Sequence, residues 1–253
     1  MPLKHIWEWL DISLFSSFST ATEEQILARS LQNRVDSKFI CKVDLLEDIV
    51  SQWSEGYAVI RVQGKAKTLY ESQYFDTSSH DNLADHMRGR RPRRKVRLRT
   101  YQDRNLTYLE VKEKKSNDTT NKSRVLLTPS GENPSKSFVR EALSEHGFGE
   151  LQPSMKISFT RTTLIGIDYD ERITIDTNLV FEDGKHLVSL PNLVIFELKQ
   201  PKFASTTPTM STLNKCTERL QVSKYITGAQ LLWPERRWHR KKPILRELQR
   251  CIQ

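Results

Sequence analysis

Cysteine is scarce in this chain of 253 residues: Cys41, Cys216 and Cys251 are the only three, they lie far apart, and their number is odd. With no CxxC pair and no His-rich stretch beside them they frame no structural zinc, and they suit a reducing compartment better than a disulfide scaffold. Long apolar runs are missing too, since no stretch approaches the roughly 20 residues needed to cross a bilayer. The segment from Trp7 to Phe18 is interrupted by Glu8 and Asp11 and has no small-residue cleavage site, so it does not read as a signal peptide. A cytoplasmic location is therefore expected. No catalytic Ser or His triad stands out.

Negative charge falls short of positive, with 31 Asp and Glu against 40 Lys and Arg. The excess is local. Eight basic residues fall within the twelve from Arg88 to Arg99, and without them the two signs would nearly balance. A local excess points to an anion site rather than to a generally basic surface. In Lys95-Val96-Arg97-Leu98-Arg99 cation and aliphatic alternate, so a β-strand here sets Lys95, Arg97 and Arg99 on one face with Val96 and Leu98 behind them. Charged alternation returns in Leu109 to Lys114, Glu171 to Asp176 and Val194 to Lys199, as if several strands shared one charged surface.

The chain is long enough for one large domain with short appendages. Residues 1–30, rich in Ser and Thr from Ser13 to Thr22, read as an arm or covering helix, 31–233 as the main domain, and 234–253 as a basic C-terminal helix or tail. Strands are expected near Asn33 to Cys41, Tyr57 to Val62, Thr68 to Phe75, Leu106 to Lys114, Lys122 to Thr128, Lys156 to Ile165, Arg172 to Phe181 and Leu193 to Lys199, besides the basic strand. Helices are expected after Asp44 as N-cap, with Leu45, Ile49 and Trp53 on one side, from Ser79 to Met87 with Ser79 capping, and from Phe138 to Glu145, ended by Gly147. Ser116-Asn117-Asp118 and Pro129 to Pro134 mark a turn and a loop. The fold class is α+β. Strands with charge on one face and aliphatics on the other fit an open sheet with a solvated face or a barrel with a polar lumen. The repeated Arg, Lys and Glu favour the lumen, because like charges facing one another across strands are destabilising unless an anion lies between them.

Arg34 to Phe39, Gln73 to Thr77, Lys95 to Tyr101, Leu109 to Lys112, Phe159 to Thr162, Arg172 to Leu179, Ile195 to Lys199 and Val222 to Tyr225 together, in this order, resemble the VTC domain. This is the polyphosphate polymerase module of the vacuolar transporter chaperone type, within the triphosphate tunnel metalloenzyme group. The resemblance implies an antiparallel eight-stranded β-barrel tunnel with flanking helices. By position it implies that Lys38, Arg97, Arg99, Lys112, Arg161, Arg172 and Lys224 grip phosphate in the catalytic site, helped by Lys122 or Arg124, Ser223 and Lys199. Glu197 would hold Mn²⁺ or Mg²⁺, with Glu110 and Asp176 as further acidic candidates. Gln221 stands where the polymerase pattern has another lysine. Arg161 shares its strand face with Ile157 and Phe159, so a bulge or strand end is expected to turn it inward. The family's SPX domain and membrane segments do not accompany these motifs, which implies a stand-alone module of the kind found in bacteria.

The function implied is transfer of the γ-phosphoryl group of ATP to a growing inorganic polyphosphate, with release of ADP. The alternatives are a tunnel triphosphatase acting on triphosphate or nucleoside triphosphate, and a non-catalytic module binding polyphosphate or nucleic acid. The Arg88 to Arg99 run contains no aromatic residue for base stacking, which disfavours nucleic acid. Other readings compete locally: Glu197 as an ion-pair partner of Lys199 or Lys112, His80, Asp81, Asp85 and His86 as a solvated helix face rather than a metal cluster, and Arg236 to Lys242 as a cover for the tunnel mouth or a surface for anionic partners.

Overall fold

The computed structural model describes residues 14–30, 34–117, 119–128, 136–145 and 147–236, with positions 246, 248 and 250 near the C-terminus. The first part of the arm, Asn33, Asp118, the Pro129 to Pro134 loop and the basic run after Arg236 lie outside the described residues.

The strands are β1 (Val35–Lys42), β2 (Tyr57–Val59), β3 (Lys67–Asp76), β4 (Arg93–Tyr101), β5 (Leu106–Lys114), β6 (Thr120–Thr128), β7 (Gln152–Gly166), β8 (Arg172–Glu182), β9 (Leu187–Leu190), β10 (Leu193–Gln200) and β11 (Glu218–Arg219). They form one sheet in the order β11-β1-β10-β8-β7-β3-β4-β5-β6, with β2 added on β7 and β9 on β8. Eight of these strands are long, the number the resemblance implies, and all the pairings between them are antiparallel; the strand expected from Tyr57 to Val62 is confined to the three residues of β2. Among the described residues the two ends of the path are not hydrogen-bonded to each other, so the sheet is a curved, tunnel-like surface and not a fully closed cylinder.

Alternation sorts the side chains. Phe39, Ile173, Ile175, Val194, Phe196 and Leu198 pack on the convex face with Ile49, Val50, Trp53, Met210 and Leu213. Their helices are α2 (Leu46–Val50) and α5 (Pro208–Cys216); α1 (Glu23–Ala28) precedes them in the chain, with Thr22 and Gln25 in a capping box. Phe15 and Phe18 of the arm join this core. Asp44 lies inside a 3₁₀ turn, Val43–Leu45, and caps nothing with its side chain. Leu45, expected to be buried, is 41% exposed.

Helix α3 (Asp81–Arg88) also starts differently from expectation. Asp76 and Thr77, not Ser79, satisfy its first amides: the Asp76 carboxylate accepts from Asn82 and Leu83 N, and Thr77 Oγ1 accepts from Asp81 N. Helix α4 (Lys136–Glu145) covers Phe75, Val96, Leu98 and Leu109 through Leu143. It ends at Gly147, whose φ of +76° allows Gly147 N and Phe148 N to bond back to Ser144 O and Leu143 O. Helix α6 (Lys224–Leu232) enters the concave side, where Tyr225, Ala229 and Leu232 pack with Met155, Leu179 and Phe181. One end of the trough is thus plugged by apolar packing, and the rest is left to the charged residues.

Candidate functional site

A cavity of about 420 Å³ occupies the concave face, with walls from β1, β3, β4, β5, β6, β7, β10 and the start of α6. Eleven basic side chains and three acidic ones line it. Strand register explains how they converge. Lys95, Lys112 and Lys122 stand directly opposite one another across β4, β5 and β6. In the next row Tyr74, Arg97, Glu110 and Arg124 are aligned across β3 to β6, and on the far wall Lys38 faces Glu197.

The arginines are held by carboxylates. Arg97 donates to Glu110 Oε2 from Nε at 2.8 Å and from Nη2 at 2.6 Å, and to the Tyr74 hydroxyl from Nη1 at 2.9 Å. Arg161 grips Asp176 with Nε and Nη2 at 2.6 and 2.7 Å, and the Lys224 ammonium bonds the same carboxylate. Arg99 is less committed, donating to Ser72 Oγ at 3.3 Å and lying 3.9 Å from Glu110. Two of the lysines meet neutral acceptors: Lys38 donates to Val222 O at 2.9 Å and Lys95 to Ser223 Oγ at 3.2 Å. Among the described residues no ion pair balances the Lys95, Lys112 and Lys122 row. Burial, followed by the charges of Lys112 and Lys38, takes the Lys95 ammonium well below its ordinary pKa. Burial and the Lys122 charge also lower Lys112. Such mutual repulsion in a walled cavity is relieved by a polyanion.

Glu197 is the acid left open to the cavity. It pairs with Lys199 at 3.4 Å. Burial opposes its ionisation, but Lys199, Lys38, Arg161 and Lys224 outweigh burial and hold its pKa far below the usual carboxylate range. Glu110 is also held low, burial being overcome by Arg97 and Arg99. Asp176, fully buried, is brought to about 2 by Arg161 and Lys224 against the effect of burial. Among the described residues no group of three His, Cys, Asp or Glu gathers into a metal cage. His80 instead packs its ring edge-on against Trp233, and Asp81 bonds Thr77. A hard divalent ion bound with substrate needs only one or two protein carboxylates beside phosphate oxygens and water. An ionised Glu197 on the cavity wall fits that requirement.

Of the residues expected at the site, Lys38, Arg97, Arg99, Lys112, Lys122, Arg124, Arg161, Lys199, Ser223, Lys224, Glu110 and Glu197 all line the cavity. Asp176 lies behind its wall. Arg172 lines an adjoining chamber of about 250 Å³, which shares Arg99, Arg124 and Arg161 with the first. Arg161 needs no turn of its strand, because Ile157 and Phe159 line the cavity beside it. The bulge sits on the neighbouring strand: Ser158 pairs with Val180 and Thr160 with Thr177, leaving an extra β8 residue at Asn178, φ +53°. Glu171 does not join the charged surface; it is buried, accepting from Tyr57, Thr209 and Gln200. Arg34, Asp36, Ser72, Tyr74 and Lys95 line the cavity without having been assigned a role from sequence. Lys95 was legible, since it alternates in step with Arg97 and Arg99.

A model of the VTC domain matches residues 33–233. This chain belongs to the VTC domain family. Solved structures similar to this VTC domain protein include a Vibrio parahaemolyticus protein provisionally described as an adenylate cyclase, 12% identical, with a TM-score of 0.47 over 78% of this chain and 100% of that one. Another is the Hippeastrum protein HpAC1, described provisionally as an adenylyl cyclase with a dominant triphosphatase activity, at 15% identity and a TM-score of 0.44 over 78% and 95% of the two chains. A Pyrococcus horikoshii protein is 13% identical, with a TM-score of 0.45 over 78% and 98%. No curated protein matches the chain.

Proposed function

We propose that this VTC domain protein is a metal-dependent polyphosphate polymerase, moving the γ-phosphoryl group of ATP onto the end of a growing inorganic polyphosphate and releasing ADP. The observation that carries this reading is the unbalanced lysine row, Lys95, Lys112 and Lys122, opening onto the same cavity as the tethered arginines. Fixed cations on several walls suit a flexible chain of phosphates, for which arginine grips two oxygens and lysine acts as a point charge. The adjoining chamber around Arg172 lengthens the track beyond one cavity.

Phosphoryl transfer asks for positioning and charge neutralisation. Arg97, tied to Glu110 and Tyr74, and Arg161 and Lys224, tied to Asp176, have their positions set before substrate arrives. The attacking group is a terminal phosphate oxygen, ionised near neutral pH, so no protein base is required. A new P–O bond forms at the γ-phosphorus while its bond to the bridging oxygen breaks, and ADP leaves with that electron pair. Glu197 would hold Mg²⁺ or Mn²⁺, which when bound supplies charge neutralisation on the phosphates. A hydrolase would need further carboxylates to hold metal and orient water, whereas Glu110 and Asp176 are engaged with cations.

Purified protein given ATP with Mn²⁺ or Mg²⁺ should accumulate ADP and an acid-labile polymer visible on a stained gel. Orthophosphate without polymer would replace this reading with the triphosphatase, and neither product would leave a binding module.

A further inference from the structure

Tyr74 is a buried phenol at the cavity wall, and its ring is held from both ends. The ring stacks on Tyr225 with centroids 4.4 Å apart and planes 10° from parallel. Tyr225 in turn donates from its hydroxyl to the buried Asp76 carboxylate at 2.7 Å. Asp76 also accepts from backbone amides at the start of α3, so this brace is anchored in the fold. At the other end the Tyr74 oxygen accepts from Arg97 Nη1 at 2.9 Å. Its own proton has no acceptor among the described residues. A phenol oxygen can accept and donate at once, so one directed donor remains, on a wall shared with Arg97, Arg99 and Lys224.

Resting on the phosphate-track reading, we infer that the Tyr74 hydroxyl contacts substrate, donating a hydrogen bond to a phosphate oxygen held among Arg97, Arg99 and Lys224. Burial disfavours the phenolate, while Arg97, Arg99 and Lys224 favour it and bring the pKa below its ordinary value. A bound polyanion offsets those charges and keeps the proton on oxygen, where it can be donated. The braced ring gives the donor a fixed direction that a mobile lysine lacks, so little side-chain entropy is lost on binding.

Tyr74→Phe preserves the stack and removes only the hydroxyl. Calorimetric titration with tripolyphosphate should show about tenfold weaker binding, the order expected for one hydrogen bond to a charged group, with only a small fall in melting temperature, because Arg97 loses one acceptor and keeps both bonds to Glu110. Equal affinity in the two proteins would overturn the inference. An ultraviolet difference spectrum of the wild type on adding tripolyphosphate reads the hydroxyl itself: a red-shifted tyrosine band, absent from the variant, marks the donated hydrogen bond. A flat wild-type spectrum despite binding would overturn the inference even if the variant folded poorly. Failure of the wild type to bind tripolyphosphate at all would refute the underlying phosphate-track reading and the Tyr74 role with it.

Discussion

Arg97 and Arg99 sit two residues apart on one strand face yet should respond differently to truncation. Arg99→Ala removes a cation held loosely, by Ser72 at 3.3 Å, a 3.9 Å approach to Glu110 and the face of the Tyr70 ring, so polyphosphate binding should weaken and turnover be abolished with little change in melting temperature. Arg97→Ala strips Glu110 of its two shortest bonds, and leaving that carboxylate less compensated should cost about 2 kcal/mol in addition to activity. Denaturant melts run beside binding isotherms separate the two effects; full activity in the Arg99 variant would mean that the strand does not face substrate. Glu197→Gln keeps shape but loses the charge a hard cation requires. Turnover should collapse while metal-free tripolyphosphate binding is retained or tightened. A variant that melts earlier yet remains active and metal-responsive would reduce Glu197 to the ion-pair partner of Lys199.

At the scale of elements, the strands were legible because one face of each had to be apolar for the convex core, and period-two alternation declares that directly. Phe39, Phe196 and Leu198 are fully buried behind Lys38, Glu197 and Lys199 for this reason. Arg161 was harder to place, because β7 spends Ile157 and Phe159 on the concave side, where the apolar plug meets the charged cavity. Helix α6 was not legible as a helix: Tyr225 to Gln230 are all buried, so no polar face marks a period. Helix α5 did carry a signal, Thr207 as N-cap followed by Pro208 at the first helical position. That Lys224 and Ser223 reach the cavity is a consequence of α6 docking on β7 and β8, which sequence spacing does not contain. The contact is close at Gly228, where an added Cβ would lie 2.5 Å from both Met155 Sδ and Phe181 Cδ1. Gly228→Ala should therefore destabilise the fold by about 1–3 kcal/mol despite alanine's better helix propensity. It should also weaken phosphate binding by shifting Lys224 away from Asp176. Thermal melting with tripolyphosphate titration tests this, and a variant as stable and as tight-binding as wild type would show that α6 has room to spare.

Across the whole molecule, the gathering of cations makes stability and ligand affinity depend on pH with opposite signs. Lys199 is the measurable case: burial, against the support of Glu197, takes it from 10.5 to about 8. The folded protein sheds this proton before the unfolded chain does, so the Lys199 contribution should raise the stability of the free protein as pH climbs from about 8 towards 10. Affinity for tripolyphosphate should fall over the same rise, because a charge that repels its neighbours in the free protein attracts the ligand. Melting and binding followed across that window check both signs, and affinity that stays flat through the Lys199 titration would remove that ammonium from the track.

Transfer between phosphates, and not to water, is the claim on which the functional account rests. It is tested most directly by giving the protein ATP labelled in its γ-phosphorus, tripolyphosphate as acceptor and Mn²⁺ or Mg²⁺, and measuring how the label divides between lengthened phosphate chains and free orthophosphate. The account predicts that most of the label enters the chains, one ADP being released for each phosphate added. Label recovered chiefly as orthophosphate, with the acceptor unchanged in length, would contradict it.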